Sequence, residues 1–167
     1  MQCESYLLDS QALALLSHTD SEGNLSKIVT LHGTYVSSKP PLQLLSLACL
    51  HNQSSLAQRT QEAVEILKFK QKPPFLLAKG VGVFPTSSSR HNTCAWIFNH
   101  FFTTTSIDKN TTMLSFSPDI HITVAASLHI IRQQNARLHL LLSHSTQLKK
   151  ELYIEQFLLS PDRMKGF

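Results

Sequence analysis

Long uncharged apolar runs are missing from this 167-residue chain, and none approaches the roughly 18 residues that a membrane span requires. Cysteine is scarce. Cys3, Cys49 and Cys94 are odd in number and far apart, and no C-x-x-C spacing occurs, which argues against a disulfide framework or a zinc knuckle and leaves reduced thiols as the expectation. Glycine and proline are not enriched, at five and seven residues, so the chain is not a low-complexity linker. Charged residues make up only 16% against 42% apolar ones, a globular composition with enough chain to bury a core. The first residues, MQCESYLLDSQ, carry acids where a secretion signal would carry positive charge, so a cytoplasmic location is expected.

Acid is also missing over particular stretches. Glu4, Asp9, Asp20 and Glu22 precede Lys27 with no Lys or Arg among them, whereas residues 66–150 hold ten Lys or Arg against only Asp108 and Asp119. Residues 66–107 and 120–150 are otherwise free of carboxylates. The net charge of +4 is therefore segregated, which favours a polyanionic partner more than the sum alone does.

What is present reads as an α+β domain: antiparallel hairpins, a middle helical segment and a long C-terminal amphipathic helix. Residues 6–17 and 25–36 flank DSEGN, a turn composition, and predict an N-terminal hairpin. After Lys39-Pro40-Pro41, residues 43–51 and 54–69 read as helical, with Ser54 or Ser55 as N-cap of the second piece. FLLA and VGVF form short strands around Lys79-Gly80. Residues 93–105 and 111–125 flank SIDKN and predict a second hairpin. From Ala126 to about Leu148, Ile130, Ile131, Leu138, Leu141, Leu142 and Leu148 share one helical side, and Arg132, Arg137 and several histidines lie mostly on the other. Residues 1–155 are expected to form one domain and 156–167 a tail.

Nine histidines form no H-E-x-x-H and none pairs with a cysteine at ligand spacing, so no metal is expected. The serines Ser87, Ser88 and Ser89 with His91 lack a G-x-S-x-G elbow, and no phosphate-loop motif is present, so neither an enzyme nor a cofactor is expected. In KFKQK, Lys68, Lys70 and Lys72 alternate, and in an extended chain they would form one row of cations suited to a phosphate backbone. The same row would also suit a lysine-rich edge strand that discourages aggregation. In VFPTSSSRHNTCAWI, hydroxyls and turn amides can bind phosphate oxygens while Arg90 suits the narrow minor groove of A·T-rich DNA, although an ordinary solvated turn has the same composition. Cys49, Cys94 and Trp96 are assigned to the core.

The run PLQLLSLACLHNQSSLAQRTQEAVEILKFKQKPP, continued by VFPTSSSRHNTCAWI, resembles the ComK family of competence transcription factors of Gram-positive bacteria. The matching positions are Pro41, Leu42 and Gln43, then Cys49, then Ser54, Ser55, Ala57 and Arg59. They continue through Lys72, Pro73 and Pro74, then Phe84, Pro85, Thr86, Ser88 and Ser89, and end with Cys94, Trp96 and Ile97. Beyond these, Ser127, Gln134 and Arg137 fit a family helix, and residues 157–161 resemble a family tail segment.

The resemblance implies a cytoplasmic, nucleoid-associated activator of DNA-uptake genes that binds paired A·T-rich boxes of double-stranded DNA through the minor groove. It also implies a homo-oligomer, dimeric or higher, captured through its C-terminal region by an adaptor of a Clp protease. The residues expected at DNA are Arg59, Lys68, Lys70, Lys72, Ser87, Ser88, Ser89 and Arg90, with Arg132 and Arg137 as further candidates. Those expected at the adaptor are Phe157, Leu158, Leu159 and Pro161. The chain departs from the family where Leu47 and Leu50 replace basic residues and Gln53, Gln58 and Glu62 replace glycines. These departures leave a second reading open: a protein-interaction module that pairs with an active regulator or the adaptor without strong DNA binding.

Overall fold

The computed structural model describes residues 8–89 and 91–158, apart from the side chain at 149. Strands β1 (Ala12–Ser17), β2 (Ser26–Thr30), β3 (Gly33–Ser37), β4 (Phe75–Ala78), β5 (Val81–Pro85) and β6 (Ala95–Phe98) form one antiparallel sheet in the order β3-β2-β1-β6-β5-β4. Strands β7 (Thr103–Asp108), β8 (Thr111–Ser117) and β9 (Ile120–Val124) form a second, antiparallel sheet in sequence order. Helices α1 (Pro41–His51) and α2 (Leu56–Leu67) are consecutive, and α3 (Leu128–Leu158) closes the described chain. The α+β reading and the long C-terminal helix are both present.

The six-stranded sheet is apolar on both faces because both are covered. Trp96 and Phe98 of β6 point into a core with Leu44, Leu45, Ala48 and Cys49 of α1 and Ala63 of α2. Ala95 and Ile97, alternate residues of the same strand, point the other way, against Leu114 of β8, Ile122 and Val124 of β9, and Ile131 and Leu138 of α3. The result is three layers: a helix pair, a sheet, and a small sheet with the first half of α3. Phe75 meets Trp96 edge to face at 5.7 Å, and Cys49, Cys94 and Trp96 are all buried, as expected.

Three strand readings are corrected. Residues 25–36 do not form one strand but break between β2 and β3. Thr30 Oγ1 accepts the His32 amide at 3.1 Å and donates to the Gly33 carbonyl at 2.7 Å, and Gly33 takes φ +148°. Residues 93–105 span two sheets. Asn99 ends β6 by accepting from the Gly82 amide at 2.9 Å and donating to the Gly80 carbonyl at 3.0 Å, and the chain crosses layers before β7. Residues 111–125 split at Pro118-Asp119, where Pro118 cannot donate to a ladder, so the second hairpin is a three-strand meander.

The helices follow their local signals. Pro41 opens α1, and the Ser55 hydroxyl accepts the Gln58 amide at 3.0 Å to cap α2, which settles the choice between Ser54 and Ser55. Helix α2 ends at Lys68, whose φ is +61°. Lys72 also takes a left-handed conformation, φ +49°. The extended row of three lysines therefore does not form; the chain coils through KFKQK instead. Helix α3 runs beyond the expected end near Leu148, which is itself 49% exposed and not part of the buried stripe.

Candidate nucleic-acid interface

The coiled segment after α2 and the serine-rich loop after β5 meet. They enclose a groove of about 290 Å³ whose floor is Trp96, Phe75, Pro73 and Pro85, with Leu42 and Leu56 on the helix side. Thr60, Lys70, Lys72, Ser88 and Ser89 supply its polar atoms. No carboxylate of the described residues lines it.

The loop is closed by its own backbone. The Thr86 amide donates to the Ala95 carbonyl at 2.9 Å, and the Ala95 amide donates to Thr86 Oγ1 at 3.0 Å. The His91 amide donates to the Ser88 carbonyl at 2.9 Å, and the Cys94 amide to the His91 carbonyl at 3.1 Å. The Cys94 thiol donates to the Ser87 carbonyl at 3.5 Å. Burial pushes that thiol above its usual value, opposed by hydrogen bonding from Ser87 and by the Lys72 charge. The three serines are thus divided: the Ser87 hydroxyl is buried, whereas Ser88 and Ser89 are exposed at the groove.

Lys72 is held from the other side. Gln134, 1% exposed on α3, donates through Nε2 to the Lys72 carbonyl at 2.8 Å and to the Pro85 carbonyl at 2.9 Å. One side chain therefore ties both walls of the groove to the same helix. Arg137 donates to Gln134 Oε1 at 3.1 Å, and its guanidinium lies 3.8 Å above the Phe69 ring centre, a cation–π contact. A second cavity of about 280 Å³ lies here, lined by Phe69, Lys70, Lys72, Gln133, Gln134 and Arg137 among others. Lys70 and Lys72 border both cavities, so residues 69–72 form a ridge with serine hydroxyls on one flank and Arg137 on the other. No carboxylate of the described residues pairs with Lys70, Lys72 or Arg137.

The family model described as ComK protein matches residues 3–150. The chain belongs to the ComK family. No curated protein and no solved structure matches it. The ComK family is one of competence transcription factors, and in this member Leu42, Lys72, Pro73, Pro85, Ser88, Ser89 and Trp96, spread over about a third of the sequence, line a single groove.

Not every expected residue joins it. Lys68 caps α2 and is exposed, Arg132 is exposed on α3, and neither lines the groove. Arg59 is one position from Thr60 but lines a different cavity, between α2 and α3, and its Nε is buried. Arg90, Leu159 and Pro161 lie outside the described residues, while Phe157 and Leu158 are exposed on the last turn of α3. Leu50 is 59% exposed and Leu47 half-buried on α1. Sequence reading placed Gln134 in a family helix but did not see its role, although a signal existed: it stands between Ile131 and Leu138 on the apolar stripe, where an amide needs partners. Among the described residues no cluster of three or more His, Cys, Asp or Glu could hold a metal ion, and no helix is long and apolar enough to cross a membrane.

Proposed function

We propose that this ComK-family protein is a DNA-binding transcriptional activator of DNA-uptake genes that grips A·T-rich double-stranded DNA, through the minor groove, as a homo-oligomer. The observation that carries the reading is the convergence of Lys70, Lys72, Ser88 and Ser89 on one carboxylate-free groove. Lysines on the ridge neutralise phosphates, and the Ser88 and Ser89 hydroxyls donate to phosphate oxygens. Arg90 follows in the same loop as the residue suited to a narrow minor groove. Arg137 adds positive potential from behind, its guanidinium fixed by Gln134 and Phe69. Arg59, Lys68 and Arg132, outside the groove, contribute through the general field. Phe157 and Leu158, exposed on the last turn of α3, are the surface offered to a Clp-protease adaptor in the cytoplasm, and Leu159 and Pro161, which follow in the sequence, are its further expected contacts.

Fluorescence anisotropy of a duplex with paired A·T-rich boxes, taken at several salt concentrations, tests this. Affinity falls steeply with salt, and Lys70→Ala and Lys72→Ala each lower the salt slope by about one. Arg132→Ala changes it less. No binding even at low salt would sink the DNA reading in favour of a protein-interaction module, a reading supported by Leu50, which is apolar and 59% exposed on α1.

A further inference from the structure

Helix α3 outruns the body that supports it. Its last buried side chains are Leu138 and Leu141, and from Thr146 to Leu158 every described side chain is exposed. That length is about 20 Å of helix. A helix so short is marginal in water by itself, and this one leaves Leu148, Leu152, Tyr153, Ile154 and Leu158 about half exposed or more. Leu141, Leu148 and Leu152 continue one stripe, seven and four residues apart, whereas Tyr153 and Phe157 stack on each other on a different side.

Next to that stripe, α2 and α3 leave a trough. One part, about 370 Å³, is lined by Arg59, Ile66, Leu76, Leu141 and Leu148 among others, and a second, about 470 Å³, shares Ile66 and His144 with it. Arg59 enters the trough with a buried Nε and no carboxylate partner among the described residues, and Glu62 lies one turn along. The projecting helix carries Glu151 and Glu155.

We infer that the trough between α2 and α3 receives the end of α3 from a second copy of this chain. A twofold axis perpendicular to α3 and passing beside it, level with positions 149 and 150, brings residues 151–158 of one copy alongside 141–148 of the other. Leu158 then lies level with Leu141, and Glu155 with His144, on the side where Arg59 waits. The contact is isologous, so each copy supplies one helix end and one trough, and both exposed stripes are buried at once. This names the surface for the homo-oligomer of the proposed function. It covers Leu158 and leaves the Tyr153–Phe157 side open, so an adaptor that takes Leu158 competes with the second copy.

Sedimentation velocity of the full chain without DNA tests it. The wild type sediments as a dimer at micromolar concentration, and Leu152→Glu, fully compatible with the single chain because that side chain is exposed, sediments as a monomer with unchanged helical circular dichroism. Arg59→Glu weakens association about tenfold, and adding Glu155→Arg restores it. A wild type that stays monomeric at about 100 µM, a dimer that tolerates Leu152→Glu, or a charge swap without recovery overturns the inference. Because these measurements contain no DNA, a dimer that fails to bind A·T-rich duplex overturns the DNA reading alone.

Discussion

Gln134 Nε2 lies 2.8 Å from the Lys72 carbonyl, across 62 residues of sequence, and this bond fixes a left-handed lysine at the rim of the groove. Gln134→Leu keeps the volume but leaves the Lys72 and Pro85 carbonyls without that donor. The expected cost is about 1–3 kcal/mol in urea unfolding. DNA affinity drops as well, because the ridge loses its anchor while every lysine is still present.

Gly82 sets how close α3 approaches β5. A Cβ there would stand 2.6 Å from Leu138 Cδ1 and 3.1 Å from Leu76 Cδ2, and Leu138 has no free space because it is fully buried. Gly82→Val is expected to destabilise by about 1–3 kcal/mol through overpacking. A lowered melting temperature without a change in the denaturant m-value is the measurement.

Gln53 follows the end of α1 with φ +61°, a conformation glycine adopts freely. Relief of left-handed strain exceeds the entropy glycine adds to the unfolded chain, so Gln53→Gly is expected to stabilise by about 0.5–1 kcal/mol. An unchanged midpoint in chemical denaturation would refute this.

Asp20 organises the β1–β2 turn. Its carboxylate accepts the Asn24 side chain at 2.8 Å, the Asn24 amide at 3.1 Å and the Glu22 amide at 2.9 Å, and His18 lies at 3.2 Å. Hydrogen bonds from Asn24, foremost, hold its pKa down from 3.8 to about 2. Since the folded value is the lower one, the stabilisation is fully present above the unfolded pKa and is lost as pH falls through the folded one. Asp20→Ala therefore melts below the wild type at neutral pH, and the gap closes between about pH 4 and pH 2.

The helices and the DSEGN, Lys79-Gly80 and SIDKN turns were legible because proline, serine, glycine and asparagine act within a few residues of themselves. The breaks at Leu31-His32, Asn99 and Pro118 were not read, since β-branched residues continue on both sides of each. At Asn99 the stop is a side chain bonded to Gly80 and Gly82, contacts that no local pattern announces. The lysine row failed for a related reason. Alternation in KFKQK presumes an extended chain, whereas Gln134 and Arg137, far along the sequence, hold the segment coiled.

By itself the sequence determined the α+β class, the long terminal helix, the burial of Cys49, Cys94 and Trp96, the carboxylate-free basic stretches and the ComK resemblance, because composition, period and motif order are local or additive properties. Only the tertiary structure decided that Lys70 and Lys72 share a groove with Ser88 and Ser89, that Arg59 lines a different cavity, between α2 and α3, and that Gln134 binds both walls. Those depend on which backbone groups remain to be satisfied once the layers have packed, and a buried amide finds its partners in space whatever their separation along the chain.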